Sequence, residues 1–581
     1  MSEFRFSPRP NRAGDIHWRP WGEAAFAEAA ATGRPVLLNL TAVWCQWCQL
    51  MDETTLSDPG VIAVINAELI PVRVDADRAP HVQDRYIAGG WPTNAFLTPT
   101  GEVLWAGTYI DAAEFRRVAA SVLVAWRTRR AELELEIERR RRALEAARGR
   151  PYSIGLVRRE AADDVLAAAR ASFDARNGGF GDAPKFPQPE LIELLYSQAF
   201  EDPTLAAMAD QTLDGMLAGE LWDAVDGGFF RYALAADWTS PRYEKLLDAN
   251  AGLLEAYALA GWLRGRDDWS AIAERTVAWV ETTLGRPDGL WGGSQAADVT
   301  YCGATATQRQ ALPRPPVDRT AYASANGHWI SSLATAGARL REPRWVQRAE
   351  LALQALLGSL RAPGGGLYRY RDDSGAPHVD FLLTDTLQVG RAALALAQAT
   401  GNGLWVDEAR RLARHMEDRL WADDGAFWDR CRSPDDVGAL RYRDRPFEAN
   451  AEAARFLLDL AAVTGERGWR AHAERTLTRL APLAGRHGVA GASCALAIHE
   501  FFEAPPRVFV ALPRSGRDDG AVLRAAAFAL RLPGLRVWTV PSGHTVGPQR
   551  FVAQDVAAAY VWTRRGCTSP IALAERLVDA L

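Results

Sequence analysis

Short apolar runs separated by turn residues fill the first part of the chain. Gly33-Arg34-Pro35 leads into Val36-Leu37-Leu38-Asn39-Leu40, and a continuous apolar run bounded by turn signals predicts a fully buried strand. A second run, Leu69-Ile70-Pro71-Val72-Arg73-Val74-Asp75, follows a helix opened by Ser57-Asp58-Pro59, a cap with proline inside the first turn. A third follows Gly89-Gly90-Trp91-Pro92 and turns through Thr98-Pro99-Thr100-Gly101 into Val103-Leu104-Trp105. From about 157 to 504 the period changes to 3.6: Leu191-Leu194-Leu195 and Leu253-Leu254-Tyr257-Ala258 are apolar faces of amphipathic helices. After 504 strands return in 507–512 and 535–540, around a helix near 522–530, which predicts a small α/β appendage.

A glycine-plus-aromatic element recurs between the predicted helices. It reads Asn177-Gly178-Gly179-Phe180, Asp226-Gly227-Gly228-Phe229, Asp288-Gly289-Leu290-Trp291, Gly364-Gly365-Gly366-Leu367-Tyr368 and Asp424-Gly425-Ala426-Phe427-Trp428, with a degenerate sixth at His487-Gly488-Val489-Ala490. The spacing suits two helices and two loops per repeat, and a repeat of that length implies a stacked or closed array. Six helical hairpins predict an all-α (α/α)6 toroid with these turns along one rim. The expected organisation is an α/β domain at 1–125, a charged helical linker at 126–155, a six-hairpin domain at 156–505 and the appendage at 506–581.

The buried strand at 36–40 runs straight into Trp44-Cys45-Gln46-Trp47-Cys48. A thiol at a helix N-terminus meets unpaired N–H groups and the positive end of the dipole, which favour a thiolate. The second cysteine lies one turn on, placed to resolve a mixed disulfide. Strand, helix, strand, helix, proline and hairpin is the thioredoxin order, and the chain resembles a thioredoxin-fold protein; that resemblance implies Cys45 and Cys48 as the reactive pair and Pro92 as the cis-proline facing them. A zinc half-site is the usual rival of C-x-x-C, but no second C-x-x-C or C-x-x-H is present, and no metal or cofactor is expected. Asn39 stands six residues before Cys45, where thioredoxins that reduce proteins carry a buried acid. An amide cannot act as the resolving thiol's general base.

The whole chain resembles the spermatogenesis-associated protein 20-like (YyaL-type) family, whose members join a thioredoxin-like domain to a six-hairpin domain similar to glycosidases and N-acylglucosamine 2-epimerases. The resemblance rests on Gly178-Gly179-Phe180-Gly181-Asp182-Ala183-Pro184-Lys185-Phe186-Pro187, on Pro241-Arg242-Tyr243-Glu244-Lys245-Leu246-Leu247-Asp248-Ala249-Asn250, on Gln295-Ala296-Ala297-Asp298 and on Ala559-Tyr560-Val561-Trp562. The family usually places histidines where this chain has Gln46, Gln49 and Arg242, and an aspartate at Ala249.

Within the toroid, Lys185, Glu244, Lys245, Asp248, Asn250, Asp298, His328, Asp385 and Glu448 are the cavity candidates. Sugar hydrolysis needs two carboxyl groups flanking a bond, whereas epimerisation needs a proton acceptor and donor about one carbon. Asp226 and Asp318 add to the acids, and His378 and His499 to the bases. Lys185 suits either an anion or a loop-pinning acid, and Glu244 to Asn250 either line the cavity or bond the glycine-rich loops.

A net charge of −5 and a 24% charged fraction give no reason to expect nucleic acid or an anionic membrane as partner. No apolar run reads as a secretory signal or a membrane span. Six cysteines, four of them isolated, fit a reduced compartment, and cytoplasm is the expectation. The reading is a thiol-disulfide oxidoreductase or redox sensor coupled to a ligand-binding toroid. A carbohydrate-active enzyme and a non-catalytic scaffold are the alternatives. The implied partners are a protein thiol or disulfide client and a sugar-like small molecule.

Overall fold

The computed structural model describes residues 4–148, 156–516 and 518–580. The chain forms two units. One comprises Met1–Ile154 with Gln295–Asp318 and Arg430–Asp444; the other comprises Gly155–Ser294, Arg319–Asp429 and Arg445–Leu581.

The first unit is built on strands β1 (Val36–Thr41), β2 (Ile70–Asp75), β3 (Thr93–Leu97) and β4 (Val103–Gly107), in the order β2-β1-β3-β4. The β1–β2 pair is parallel and the others are antiparallel. Every β1 residue is buried, because both faces of the sheet are covered. Leu37 enters one core with Met51, Ile65, Phe96 and Phe115. Val36, Leu38 and Leu40 point the other way, toward Phe26, Val72 and Val82.

Two boundaries differ from the sequence-based expectation. Position 125 falls inside the Ala112–Thr128 helix, and the charged stretch is a helix, Arg130–Arg148, carrying Arg140–Glu136 and Arg142–Glu138 pairs at 2.9 and 2.7 Å. Residues 149–155 of the expected linker lie outside the described residues. The segments 295–318 and 430–444, expected in the six-hairpin domain, belong to the first unit. The reason for the second is visible at Gly101 (φ +91°), where a Cβ would stand 2.3 Å from the Gly438 Cα. The Tyr86 hydroxyl ties the same contact, donating to the Gly101 carbonyl at 2.8 Å and accepting from the Ala439 N–H at 2.7 Å.

In the second unit, helices alternate between two rings. The inner helices are Pro189–Gln198, Leu247–Arg264, Ala323–Leu340, Leu383–Thr400, Phe447–Thr464 and Ala492–Phe502. Each packs on the next and the last packs on the first, so the ring closes. The outer helices are Glu160–Ser172, Pro203–Ala218, Asp267–Trp279, Pro343–Leu360, Gly403–Leu420 and Arg467–Ala484, each packed on an inner one. This is an (α/α)6 toroid. The appendage follows, with Arg507–Leu512 parallel to Arg536–Pro541 and antiparallel to Ala558–Thr563.

The glycine-aromatic elements are one-bridge hairpins after five of the outer helices, closed by Phe173–Phe180, Trp222–Phe229, Gly285–Trp291, Arg361–Leu367 and Trp421–Phe427. After the sixth outer helix the chain instead forms a 3-10 helix, Gly485–Gly491. An asparagine one turn into an inner helix clamps three of the hairpins. Asn450 accepts from the Phe427 N–H at 2.6 Å and donates to the Phe427 and Pro446 carbonyls. Asn250 does the same to Phe229 and Leu246, and Asn326 to Trp291 and Tyr322. In the Leu383–Thr400 helix the equivalent residue is Thr386, whose buried hydroxyl has no partner among the described residues.

Each clamp secures a buried loop whose polar groups have no water to fall back on. Asn450→Ala is therefore expected to cost about 2–3 kcal/mol, three hydrogen bonds of roughly 1 kcal/mol each, in urea unfolding of the full chain. Thr386→Val, which deletes an unsatisfied hydroxyl, should be neutral or stabilising.

Candidate functional site

In the first unit Cys45 caps the Gln46–Glu53 helix, and its Sγ accepts the Cys48 N–H at 3.2 Å. Both sulfurs are buried, each residue 3% exposed. Burial pushes the Cys48 thiol well up, and the Cys45 sulfur beside it adds to the rise. The Trp91–Pro92 bond is cis, and Trp91 meets Trp44 edge-on at 5.3 Å. Trp44 donates its indole N–H to Asp77 at 2.8 Å. The Ala297 N–H, from the 295–318 segment, donates to the Trp44 carbonyl at 3.3 Å.

Behind the dithiol, Asn39 does not stand alone. It donates to Asn94 at 2.9 Å and accepts from Arg73 at 2.9 Å. The Arg73 guanidinium grips both oxygens of Asp52, each at 2.9 Å, and the Phe6 ring covers it at 4.6 Å. Burial nevertheless holds Asp52 above the ordinary carboxylate range, against the pull of Arg73. The buried carboxylate missing at position 39 is thus supplied from the cysteine-bearing helix, already committed to an ion pair.

In the second unit the inner helices carry a polar stripe. Counting from each helix start, the second, sixth, ninth and thirteenth residues share one face, because those steps are whole turns of a 3.6-residue helix. The second positions include Glu190, Asp248 and Glu448; the sixth include His328, Gln388 and Glu452; the ninth include Glu255, Arg391 and Arg455. Helix closure turns these stripes inward and makes an acidic chamber at the N-terminal ends.

The chamber centres on an ion pair between His328 Nδ1 and Asp248 at 2.8 Å. Burial opposes the imidazolium, but Asp248 outweighs it and lifts His328 to about 9. Asp248 keeps 65% of its side-chain surface open, although protein crowds around it. That crowding disfavours its charge, yet His328 holds it below the ordinary carboxylate range. Glu448 goes the other way. Protein crowded around its open side chain, together with Glu190, Glu452 and Asp248, raises it to about 7. Arg391 pairs with Glu452 at 2.8 Å, and Gln388 bonds the same carboxylate.

Other candidates spend their polar groups on loops. Lys185 bonds Asp174 at 2.7 Å and the Gly178 and Ala236 carbonyls. Lys245 repeats the arrangement with Asp223 at 2.6 Å and the Gly227 carbonyl. Asn250 is one of the hairpin clamps. Asp385 is fully buried, pairs with Arg369 at 3.0 Å and accepts the Ser324 N–H. Asp298 caps a short helix in the first unit through the Tyr301 N–H, and Asp318 pairs with Arg5 there at 2.7 Å. Glu244 is 3% exposed, with one carboxylate oxygen unpartnered among the described residues. His378 stacks on Tyr370 and pairs with Asp372 at 2.7 Å, and His499 is buried. Trp222, Trp238 and Trp291 are buried. Glu190, Gln388, Arg391 and Glu452 escaped the sequence reading. The stripe would have revealed them, as polar residues a whole number of turns apart on otherwise apolar helices.

Residues 9–145 match the model of the thioredoxin DsbH family, described as a protein of unknown function, DUF255. The first unit carries a thioredoxin-like domain. The chain is similar to spermatogenesis-associated protein 20 of Homo sapiens, 29% identical over 310 residues, which is 49% of this chain and 39% of that protein. It thus spans about two fifths of the length of that curated relative. The thiol:disulfide interchange protein DsbD 1 of Pseudomonas aeruginosa is 37% identical over 84 residues, 14% of each chain. Among solved structures, a D-mannose isomerase aligns at 13% identity over 60% of this chain and 99% of its own, with a TM-score of 0.46. The cellobiose 2-epimerase of Spirochaeta thermophila DSM 6192 aligns at 18% over 59% and 95%, with a TM-score of 0.45.

The two sites generate two measurements. In the thioredoxin-like domain Cys48 should resist iodoacetamide at neutral pH, read by peptide mass mapping of the reduced protein. In the chamber, the His328 imidazole should titrate near 9 by NMR and fall back toward or below 6.5 in Asp248→Asn. The stabilisation gained from its protonation is complete below about 6.5 and is lost as pH rises through about 9.

Proposed function

We propose that the helical unit is an acid–base enzyme acting on a small, sugar-like polyhydroxylated substrate. The observation that carries this reading is the divergence of titrations within one chamber: Glu448 poised near neutrality, Asp248 ionised and His328 charged. Carboxyl groups whose environments drive their pKa values apart are how one site holds an acid and a base together.

The division of labour follows from charge. The His328 imidazolium is a donor for a substrate carbonyl or hydroxyl oxygen and stabilises negative charge as it develops there. Glu448, near the operating pH, takes a proton from one atom of the substrate as carboxylate and returns it to another as acid. Asp248 holds the imidazolium in place through Nδ1 and leaves Nε2 to the ligand. Removal of a proton next to a carbonyl, then its return on another face or carbon, is isomerisation or epimerisation. Glycosidic hydrolysis would pair Glu448 with a second carboxyl group, and with Asp248 engaged by His328 that partner would be Glu190 beside it; the charged His328 in the same chamber favours proton transfer at carbon.

The test is deuterium uptake. Reducing sugars incubated with the full chain in D2O should exchange the proton beside the carbonyl, read by NMR. Glu448→Gln should slow exchange by about 10²–10⁴-fold, the usual worth of a general acid–base group. Exchange by no sugar across a broad panel, or an undiminished Glu448→Gln, would refute the assignment.

A second reading concerns the dithiol. The Cys45 sulfur at a helix N-terminus with the Cys48 N–H upon it supports two-electron exchange with a protein disulfide: the client disulfide is reduced as Cys45 and Cys48 are joined. Redox titration against dithiothreitol should show one two-thiol transition in wild type and none in Cys45→Ser.

A further inference from the structure

The C-terminal halves of the inner helices line a second pocket, of about 80 Å³, bordered by Phe528, Leu535 and Arg536. It holds several waters' worth of space and therefore a small solute. Its wall is dense with charge, most of it paired. Arg391 pairs with Glu452 at 2.8 Å, Arg455 with Glu193 at 2.6 Å and Arg536 with Asp459 at 2.9 Å. Two charges in the lining make no hydrogen bond or ion pair among the described residues. Arg339 stands over the Trp262 ring at 5.5 Å, and its Nη1 is buried with no hydrogen-bond partner. Glu255, on a neighbouring inner helix, has none either. They sense each other electrostatically but stand too far apart to pair. Ser331 and Thr335, on the Arg339 helix, add hydroxyls between apolar residues.

A guanidinium with a buried N–H left unbonded is costly, although Arg339 and Glu255 are both only part-buried. Burial indeed pulls Arg339 below its ordinary range, against Glu255 and Glu193. A site that holds one cation and one anion apart is complementary to a ligand bearing both. A carboxylate takes two parallel hydrogen bonds from a guanidinium, and an ammonium donates to a carboxylate. We propose that this cavity binds a free amino acid, its carboxylate on Arg339 and its ammonium on Glu255. The acidic chamber is one ion pair away, since Arg391 lines this cavity and holds Glu452 of the chamber. The assignment does not rest on the chemistry proposed for the chamber.

Thermal-shift and calorimetric titration of the full chain with the standard amino acids tests it, with acetate, phosphate and methylammonium at equal ionic strength. Saturable binding of at least one amino acid is expected, with none of the singly charged probes matching it. Arg339→Gln and Glu255→Gln should each weaken binding by about tenfold or more, the loss of one charged contact, while Glu448→Gln leaves it unchanged. If Arg339→Gln fails to fold, Glu255→Gln alone decides. Binding by no amino acid, equal binding of acetate or phosphate, or full affinity in the folded variants would overturn the proposal.

Discussion

The inner ring closes only if six helices, each flanked by two inner neighbours and backed by outer helices, bury nearly all of their surface. Leu247–Arg264 shows the consequence: from Asn250 to Trp262 all but Glu255 are buried. A helix so enclosed has one direction left for a polar group, the axis of the ring. Closure therefore concentrates the unit's chemistry without any motif for it. Polar residues that would be scattered on a surface helix become a column, and columns from separate repeats meet. His328 and Asp248 are 80 residues apart and bond at 2.8 Å for this reason.

The same closure explains the cost of the loops. Each hairpin that follows an outer helix lies against the start of an inner one, so its backbone groups are shut away from solvent. Asparagine suits that duty because its amide both donates and accepts, satisfying an N–H and a C=O of one residue. Lysine serves the first two repeats, collecting a carboxylate and glycine carbonyls on a single ammonium. At Gly227 (φ +85°) a Cβ would lie 2.8 Å from the Arg275 carbonyl oxygen, so the turn admits no side chain. These residues look catalytic in a sequence because they are charged, glycine-flanked and near the helix starts. Their work is to hold the frame that lets Glu448 and His328 face one space.

The thioredoxin-like domain shows a related economy. Its sheet buries β1 on both faces, so any polar side chain on that strand must be satisfied internally. Asn39 is satisfied by Asn94 and by Arg73, which in turn neutralises Asp52. The interior behind the dithiol is a paired network instead of a lone acid, and the Cys48 thiol stays protonated above it. Segments drawn from far along the chain complete the domain, one of them bonded to Trp44 beside Cys45.

Periodicity and punctuation determined much by themselves. The strand–helix–strand order, the C-x-x-C at a helix start, the helical repeat and five of its turns were legible because each depends on residues close in sequence. Hairpin spacing was enough to infer six repeats, since helix length and loop length are local quantities. What the tertiary structure decided was direction and company. Lys185, Lys245 and Asn250 carry chemistry-bearing groups, and only the packed loops show that those groups are occupied. Glu448 and Asp248 are both carboxylates at the second position of an inner helix; only the neighbours brought in by ring closure drive one toward neutrality and keep the other charged. The assignment of 295–318 and 430–444 to the first unit also lay beyond the sequence. A contact such as Gly101 on Gly438 is fixed by backbone shape across more than three hundred residues, and a local pattern carries no record of it.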